Sequence, residues 1–325
     1  MMRPPRLFRR ALLLGAPLLA APSLVRAQGF PSRPVRMLVG FAPGGAADTV
    51  ARLIAPAMGA ALGQPVIVEN RSGASGTTAA AAVASAAPDG QTILLSTLTH
   101  ASNPHLFTGL PFDYATAFAP VSLVVLFPTV LAVKKDFPTA DMAAFLALAR
   151  SRPEPITYGT PGNATAQHMA GELLQQRTGI KLEHVPYRGG ADAARDLAAG
   201  VIEASFNSVG SLAPAFATGA RPLVAVTAQR IPSLPNVPTG AEAGISDFVL
   251  SDICGVFAPA GTPTASLEKL HQAILAALRT DEVQARIQAL SAQGVGSTPA
   301  AFAAFMQAES ARLGGLIRVA GISLS

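Results

Sequence analysis

The residues best suited to chemistry lie in four short loops, each of which follows a predicted strand and leads into a predicted helix. They contain glycines, hydroxyl groups and free amides, and they carry few charges. Glycine lets the backbone approach a ligand closely, and the unpaired N–H groups at a helix start attract an anion. This pattern favours the binding of an acid mainly by dipoles. The four loops are 41–48, 97–103, 159–165 and 206–211.

The first loop contains a glycine pair, which an ordinary strand-to-helix turn would also use. Asp48 falls in the first predicted helical turn, where a carboxylate either complements the helix dipole or holds a water that bridges to a ligand. The predicted ligand-binding residues of the first two loops are Phe41, Ala42, Gly44, Gly45, Asp48, Thr97, Thr99, His100 and Asn103.

A fifth segment, 187–190, carries Arg188, the one cation in these loops suited to pair directly with a carboxylate. His168 lies near a helix start, where both a structural role and a ligand contact are open. The predicted ligand-binding residues of the later loops are Gly162, Asn163, Thr165, His168, Arg188, Asn207 and Ser208.

Catalytic and metal-binding motifs are missing from the sequence. The five histidines show no HExxH spacing, and Cys254, the single cysteine, excludes an intrachain disulfide and a cysteine-based metal site. There is no G-x-S-x-G, Walker or dinucleotide-binding signature. We therefore predict neither an enzyme nor a cofactor nor a metal, with a secreted hydrolase or isomerase as the remote alternative.

The elements around these loops alternate between β-rich and helix-period segments, which predicts an α/β fold with mainly parallel sheets covered on both faces. We expect one lobe at 28–136 and 250–325, with a second α/β lobe at 137–249 inserted into it. Two chain crossings would then form a hinge beside a ligand cleft. Thr139 is the predicted N-cap of a helix at 140–150.

Residues 1–27 have the features of an export signal. Arginines open the segment, an apolar stretch follows at 11–21, and Val25-Arg26-Ala27 forms a small-residue cleavage pattern near Ala27. A short membrane anchor is the alternative, although Pro17 breaks the stretch. The pair Arg9-Arg10 leaves the twin-arginine and general export routes both open. The mature protein is expected in the periplasm.

The formal net charge of +5 belongs largely to this signal. Residues 1–27 hold five of the 24 basic side chains and none of the 19 acidic ones. The mature chain is therefore close to neutral, which argues against a nucleic-acid or anionic-membrane partner.

A series of motifs resembles the Bug receptors, the substrate-binding proteins of tripartite tricarboxylate transporters, along essentially the whole mature chain. Each motif is short, but all occur in the same order. They are RMLVGFAPGGAAD (36–48), GQPVIVENR (63–71), PDG (88–90), FAPVS (118–122), HVPYRG (184–189), LPNVPT (234–239) and FAPAGTP (257–263).

The resemblance implies a type II periplasmic-binding-protein fold, in which two lobes joined by a double-crossing hinge close on a ligand. It implies that the loops at 41–45 and 97–103 hold one carboxylate through waters and backbone amides. Segments 162–168 and 207–208 would then select the rest of the ligand. The implied partners are a small carboxylate and the membrane transporter subunits, with the receptor itself a monomer. A receptor of the same fold that signals to a sensor kinase is the alternative.

One departure from the family concerns Asn207, where these receptors often have aspartate. A neutral amide pairs less well than a carboxylate with a ligand ammonium. We therefore expect a ligand without a free amine, such as a dicarboxylate, a tricarboxylate or an aromatic acid.

Overall fold

The computed structural model describes residues 1–2 and 29–322, so the predicted export signal lies almost wholly outside the described residues. The strands are β1 (Val35–Val39), β2 (Val66–Asn70), β3 (Thr92–Ser96), β4 (Phe118–Phe127), β5 (Thr129–Val133), β6 (Ile156–Thr160), β7 (Leu182–Pro186), β8 (Ala204–Ser208), β9 (Arg221–Ala225), β10 (Asp252–Pro259) and β11 (Gln293–Gly294). The helices are α1 (Ala46–Leu62), α2 (Thr77–Ala84), α3 (Thr99–Ser102), α4 (Met142–Ser151), α5 (Ala166–Thr178), α6 (Gly190–Ala198), α7 (Val209–Ala217), α8 (Thr264–Leu278), α9 (Asp281–Ala289) and α10 (Pro299–Ala320).

The strands form two separate sheets. The first has the order β11-β4-β10-β3-β1-β2, and the second has the order β7-β6-β8-β5-β9. The strand-to-helix units β1, β2 and β3 pair in parallel, as do β6, β7 and β8. Strands β4, β5 and β10 pair antiparallel to their neighbours, so both sheets are mixed and not mainly parallel as expected. The chain passes from one sheet to the other through these three strands. They therefore run opposite to the strands beside them.

The chain crosses between the sheets twice. The first crossing is at Pro128, between β4 and β5, and the second leads from the segment after β9 into β10. The sequence predicts the first lobe boundary at 136/137, whereas the second sheet of the structure already begins at Thr129. Residues 121–133 form one continuous apolar, β-rich run, in which only the proline, lacking a backbone N–H, marks the change of sheet.

Helices cover both faces of each sheet. Helices α1, α8 and α9 pack on one face of the first sheet, while α2, α3 and α10 pack on the other. In the second sheet α5 covers one face and α6 with α7 the other. Helix α10 of the first lobe also packs against α5 of the second, so one apolar core continues through both lobes.

Two local features concern the helices. Helix α4 begins after Asp141, whose side chain accepts a hydrogen bond from Ala144 N at 2.8 Å, so the predicted N-cap at Thr139 is wrong by two residues. Asp is as good an N-cap as Thr, and here it is the residue next to the first helical turn. Within the described part of the chain, no helix combines the length and the apolar character needed to cross a membrane.

Candidate functional site

Loops from both sheets meet at the carboxyl ends of their parallel strands. The crevice, as we call this region, is bounded by residues 40–45, 71–76 and 97–103 of the first lobe and by 161–168, 187–190 and 207–211 of the second. Two serine hydroxyls donate hydrogen bonds across it, Ser102 Oγ to Ala164 O at 2.9 Å and Ser75 Oγ to Asn163 O at 3.2 Å. The second and third predicted loops are therefore in direct contact.

Close approaches at glycines connect the remaining loops. A methyl group on Gly76 would lie 3.6 Å from the Phe41 ring and 3.8 Å from Thr99 Oγ1, so the first two loops adjoin. One on Gly162 would lie 3.3 Å from Tyr187 O, and one on Gly190 would lie 2.7 Å from Asn207 Oδ1. All five predicted segments thus form one continuous surface.

Asp48 holds the first loop in shape. Its buried carboxylate accepts hydrogen bonds from Gly44 N at 2.9 Å, Arg52 Nε at 3.0 Å and Asn70 Nδ2 at 2.8 Å, and Asn70 also donates to Phe41 O. Burial by itself raises the pKa of Asp48, but the hydrogen bonds from Arg52, Gly44 and Asn70 outweigh it and keep the pKa below its usual value. The carboxylate therefore stays charged and positions the loop.

The helix starts around the crevice differ in their caps. Helices α5 and α7 have side-chain N-caps. Thr165, just before α5, accepts a hydrogen bond from His168 N, and Ser208, just before α7, accepts one from Ser211 N. Helices α1 and α6 begin after Gly45 and Gly189, which supply no side-chain cap, and α2 and α3 of the first lobe also lack one. Helices α1 and α6 are the longer uncapped helices of the first and second lobe, and their first-turn amides are donors suited to an anion.

The second loop is polar where it meets the crevice and aromatic beneath. Thr97 and Thr99 share a hydrogen bond of 3.1 Å, and Asn103 Nδ2 donates to Ser75 O at 3.0 Å. The His100 imidazole stacks on Phe257 with ring centroids 3.9 Å apart and lies edge-on to Tyr114. Burial lowers the pKa of His100 to about 3, so this side chain is an uncharged member of the first lobe's aromatic core.

His168 shapes the third loop. Its Nδ1 accepts a hydrogen bond from Ala164 N at 3.2 Å, and Ala164 has a left-handed φ of 63°. The ring stacks on His184 at 3.9 Å, and burial, together with His184, lowers the pKa of His168 to about 3. Because Nδ1 is an acceptor, the neutral ring carries its proton on Nε2. His168 thus supports the backbone that accepts the Ser102 hydroxyl across the crevice.

The fourth and fifth segments are joined by Asn207. Its Nδ2 donates to Gly190 O and its Oδ1 accepts from Ser208 N, both at 2.9 Å, and the residue is 1% exposed. The Arg188 side chain is exposed, and within the described residues it forms no ion pair. Arg188 is therefore the free cation at this end of the crevice.

Known proteins resemble this chain in both sequence and fold. The model of the tripartite tricarboxylate transporter family receptor matches residues 50–322. The protein BugT of Bordetella pertussis is 34% identical over 312 residues, which cover 94% of this chain and 94% of that protein. The chain belongs to this receptor family.

Solved structures of similar receptors share the fold along nearly their full length. MatC of Rhodopseudomonas palustris, solved with bound malate, has a TM-score of 0.82 and 33% identity, covering 89% of this chain and 100% of MatC. An R. palustris protein solved with adipate has a TM-score of 0.83 and 34% identity, covering 90% of this chain and 99% of that protein. The chain is thus a solute receptor of the periplasmic-binding class, not an enzyme.

Two parts of the receptor's crevice were missed by the sequence reasoning. The loop after β2 contributes Ser75, and both Ala74 and Ser75 have left-handed φ values, of 43° and 53°. The residue run Gly73-Ala74-Ser75-Gly76 follows a strand as the other loops do, and this position was the available signal. Such φ values in Ala and Ser depend on tertiary contacts and leave no mark in the sequence.

The second omission is a polar contact between the lobes near the hinge. Gln167 Nε2 donates to Asp252 Oδ2 at 3.3 Å, and Asp252 Oδ1 accepts from Leu98 N at 3.4 Å and Ile253 N at 2.9 Å. Burial raises the pKa of Asp252, although these hydrogen bonds work in the opposite direction. No group of three or more metal-ligating side chains occurs in residues 29–322.

Proposed function

We propose that this receptor binds a small organic carboxylate without a free amine in the crevice and delivers it to the membrane subunits of a tripartite transporter. It does so as a monomer in the periplasm, after removal of residues 1–27. Its lobes meet at the hinge residues Pro128 and Ser251. Of the sixteen residues predicted from the five segments, thirteen contact the ligand, and Asp48, His100 and His168 act through the loops they support.

The single observation that carries this proposal is that each side of the crevice has an uncapped helix start, at Gly45 in the first lobe and at Gly189 in the second. Each offers first-turn amides to an anion, although each first turn also carries an acid, Asp48 in α1 and Asp192 in α6. Two such ends facing one space suit a ligand with two acid groups. The malate and adipate in structures of similar receptors support this ligand class.

The absence of an amine from the ligand is argued from Asn207. Its amide oxygen is used by Ser208 N and its amide nitrogen by Gly190 O. The residue therefore offers no spare negative charge and little free acceptor capacity to an ammonium group.

The decisive experiment places a competing carboxylate at one helix start. Gly189 has extended backbone angles, and an added Cβ would meet nothing within 4 Å, so Gly189→Asp fits the fold. Its carboxylate caps α6 and repels the ligand. We expect isothermal titration with malate and adipate to show affinity weakened by at least about tenfold, or 1.4 kcal/mol.

Gly189→Ala is the matched control, since it adds a methyl group without a cap or a charge, and it should bind like the wild type. Equal binding by Gly189→Asp and Gly189→Ala would reject the role of α6. Tighter binding of aspartate than of malate by the wild type would reject a ligand without an amine.

A further inference from the structure

A second hollow lies on the other side of the hinge from the crevice. This rear cavity has a volume of about 1140 Å³. Its walls include both crossings, at Pro128 and Ser251, the segment 227–233 after β9, and the ends of α8 and α9 with β11. It shares no residue with the loops that bound the crevice.

The order of strands explains why the two spaces oppose each other. In the first sheet β11 lies on one side of the hinge strands β4 and β10, while β3, β1 and β2 lie on the other. In the second sheet β9 lies on one side of β5, while β8, β6 and β7 lie on the other. A hinge rotation that brings the crevice walls together therefore moves the rear walls apart.

The lining of the rear cavity is largely apolar and partly exposed. Leu275 and Leu278 come from α8 and Ile287 from α9. At the rim, Val249 is 42% exposed and Val295 is 37% exposed, and both are among the few large apolar side chains that the described chain leaves in solvent. Exposed apolar side chains grouped around a concave space are typical of a binding site.

The charges of the lining are of one sign. Arg230 and Arg279 line the cavity, and none of the described residues around it is Asp or Glu. Arg230 is paired with Glu242 at 2.9 Å, whereas Arg279, at the end of α8, forms no ion pair among residues 29–322. The cavity therefore suits a molecule with an apolar body and one negative group.

We propose that the rear cavity binds an amphipathic carboxylate of the medium-chain fatty-acid class, with its chain against the leucines and its acid group at Arg279. A molecule in this cavity fills space that opens as the crevice closes, so it favours the closed arrangement of the lobes. By linkage, it strengthens ligand binding in the crevice, and the crevice ligand strengthens its binding in turn.

The test uses the lack of tryptophan in this chain. Val295→Trp puts a unique fluorophore at the rim, and decanoate is the probe. We expect a saturable change in tryptophan emission as decanoate is added. Combining Val295→Trp with Arg279→Gln should weaken decanoate binding by at least about threefold, as expected for one exposed charge pair. Arg279→Lys, which keeps the charge, should retain most of the affinity.

Val201→Trp is the matched control, because Val201 is 69% exposed and lies outside the cavity. An equal response from this variant would show non-specific adsorption and overturn the proposal. Loss of the Val295→Trp signal on adding Gly189→Asp would place decanoate in the crevice and also overturn it.

The coupling is tested separately with adipate or malate. Saturating decanoate should tighten their binding to the wild type by at least about threefold, and unchanged affinity would refute the coupling. Decanoate binding at the rim does not require that either dicarboxylate binds, so the two proposals fail independently.

Discussion

His100 and His168 are buried and His184 is half-buried, and the loss of solvation lowers their pKa values to about 3, about 3 and about 4. In the unfolded chain each imidazole titrates near its ordinary pKa of 6.5. Between pH 6.5 and pH 4 the unfolded chain therefore binds more protons than the folded one. Protonation of these histidines therefore lowers the free energy of unfolding as the pH falls through this range, while the raised pKa values of Asp252 and Glu172 oppose this trend.

His100→Phe tests this acid sensitivity at one residue. Phenylalanine fits the aromatic cluster around Phe257 and removes an Nδ1 that has no hydrogen-bond partner among the described residues. Urea unfolding at pH 7, 6 and 5 should show a shallower pH dependence than the wild type, by up to roughly 1.4 kcal/mol per pH unit. An identical slope in the two proteins would contradict a neutral, buried His100.

At the scale of the helix, the proposed role of the α1 start in ligand binding can be separated from its contribution to stability. Gly45→Ser would supply the side-chain cap that α1 lacks, and its backbone angles, φ −73° and ψ 170°, suit serine. We expect the free energy of unfolding to rise by a few tenths of a kcal/mol. The serine hydroxyl competes for the amides, so the affinity for malate or adipate should fall by roughly tenfold.

Gly45→Ala separates the cap from the added bulk, because a methyl group here meets Ala42 O at 3.3 Å in either variant. If Gly45→Ala weakens binding as much as Gly45→Ser, the hydroxyl plays no part. Thermal unfolding and isothermal titration of the pair give both comparisons.

The alternation of strands and helices in the sequence was enough to predict that five segments lie together, because the carboxyl ends of parallel strands share one edge of a sheet. It did not predict the role of each side chain. Thr165 and Ser208 turned out to cap helices, and His100 lies within the core. Hydroxyls and imidazoles serve folding and binding equally well, and only tertiary contacts separate the two uses.

For the whole molecule, we expect the hydrogen bonds across the crevice to favour the closed arrangement of the lobes. A Ser75→Ala, Ser102→Ala double variant removes both hydroxyl donors that span the crevice. Each neutral hydrogen bond contributes about 0.5–1.5 kcal/mol, so we expect dicarboxylate affinity to fall by roughly tenfold or more. Small-angle scattering of the unliganded variant should show a larger radius of gyration than that of the wild type.

Ser85→Ala is the matched control, since the Ser85 hydroxyl bonds only to the preceding turn of its own helix. Its scattering and affinity should match those of the wild type. A double variant with unchanged scattering and unchanged affinity would show that the two bonds do not govern closure.

The central position of β10 has a consequence for how the chain is assembled. This strand lies between β3 and β4, yet it comes from residues 252–259, after the second sheet is complete. A chain that emerges from its N-terminus can finish the second lobe while the first still has a gap in the middle of its sheet. During that interval the facing edges of β3 and β4 have no partner, so this lobe is the one exposed to wrong strand pairing until β10 takes its place.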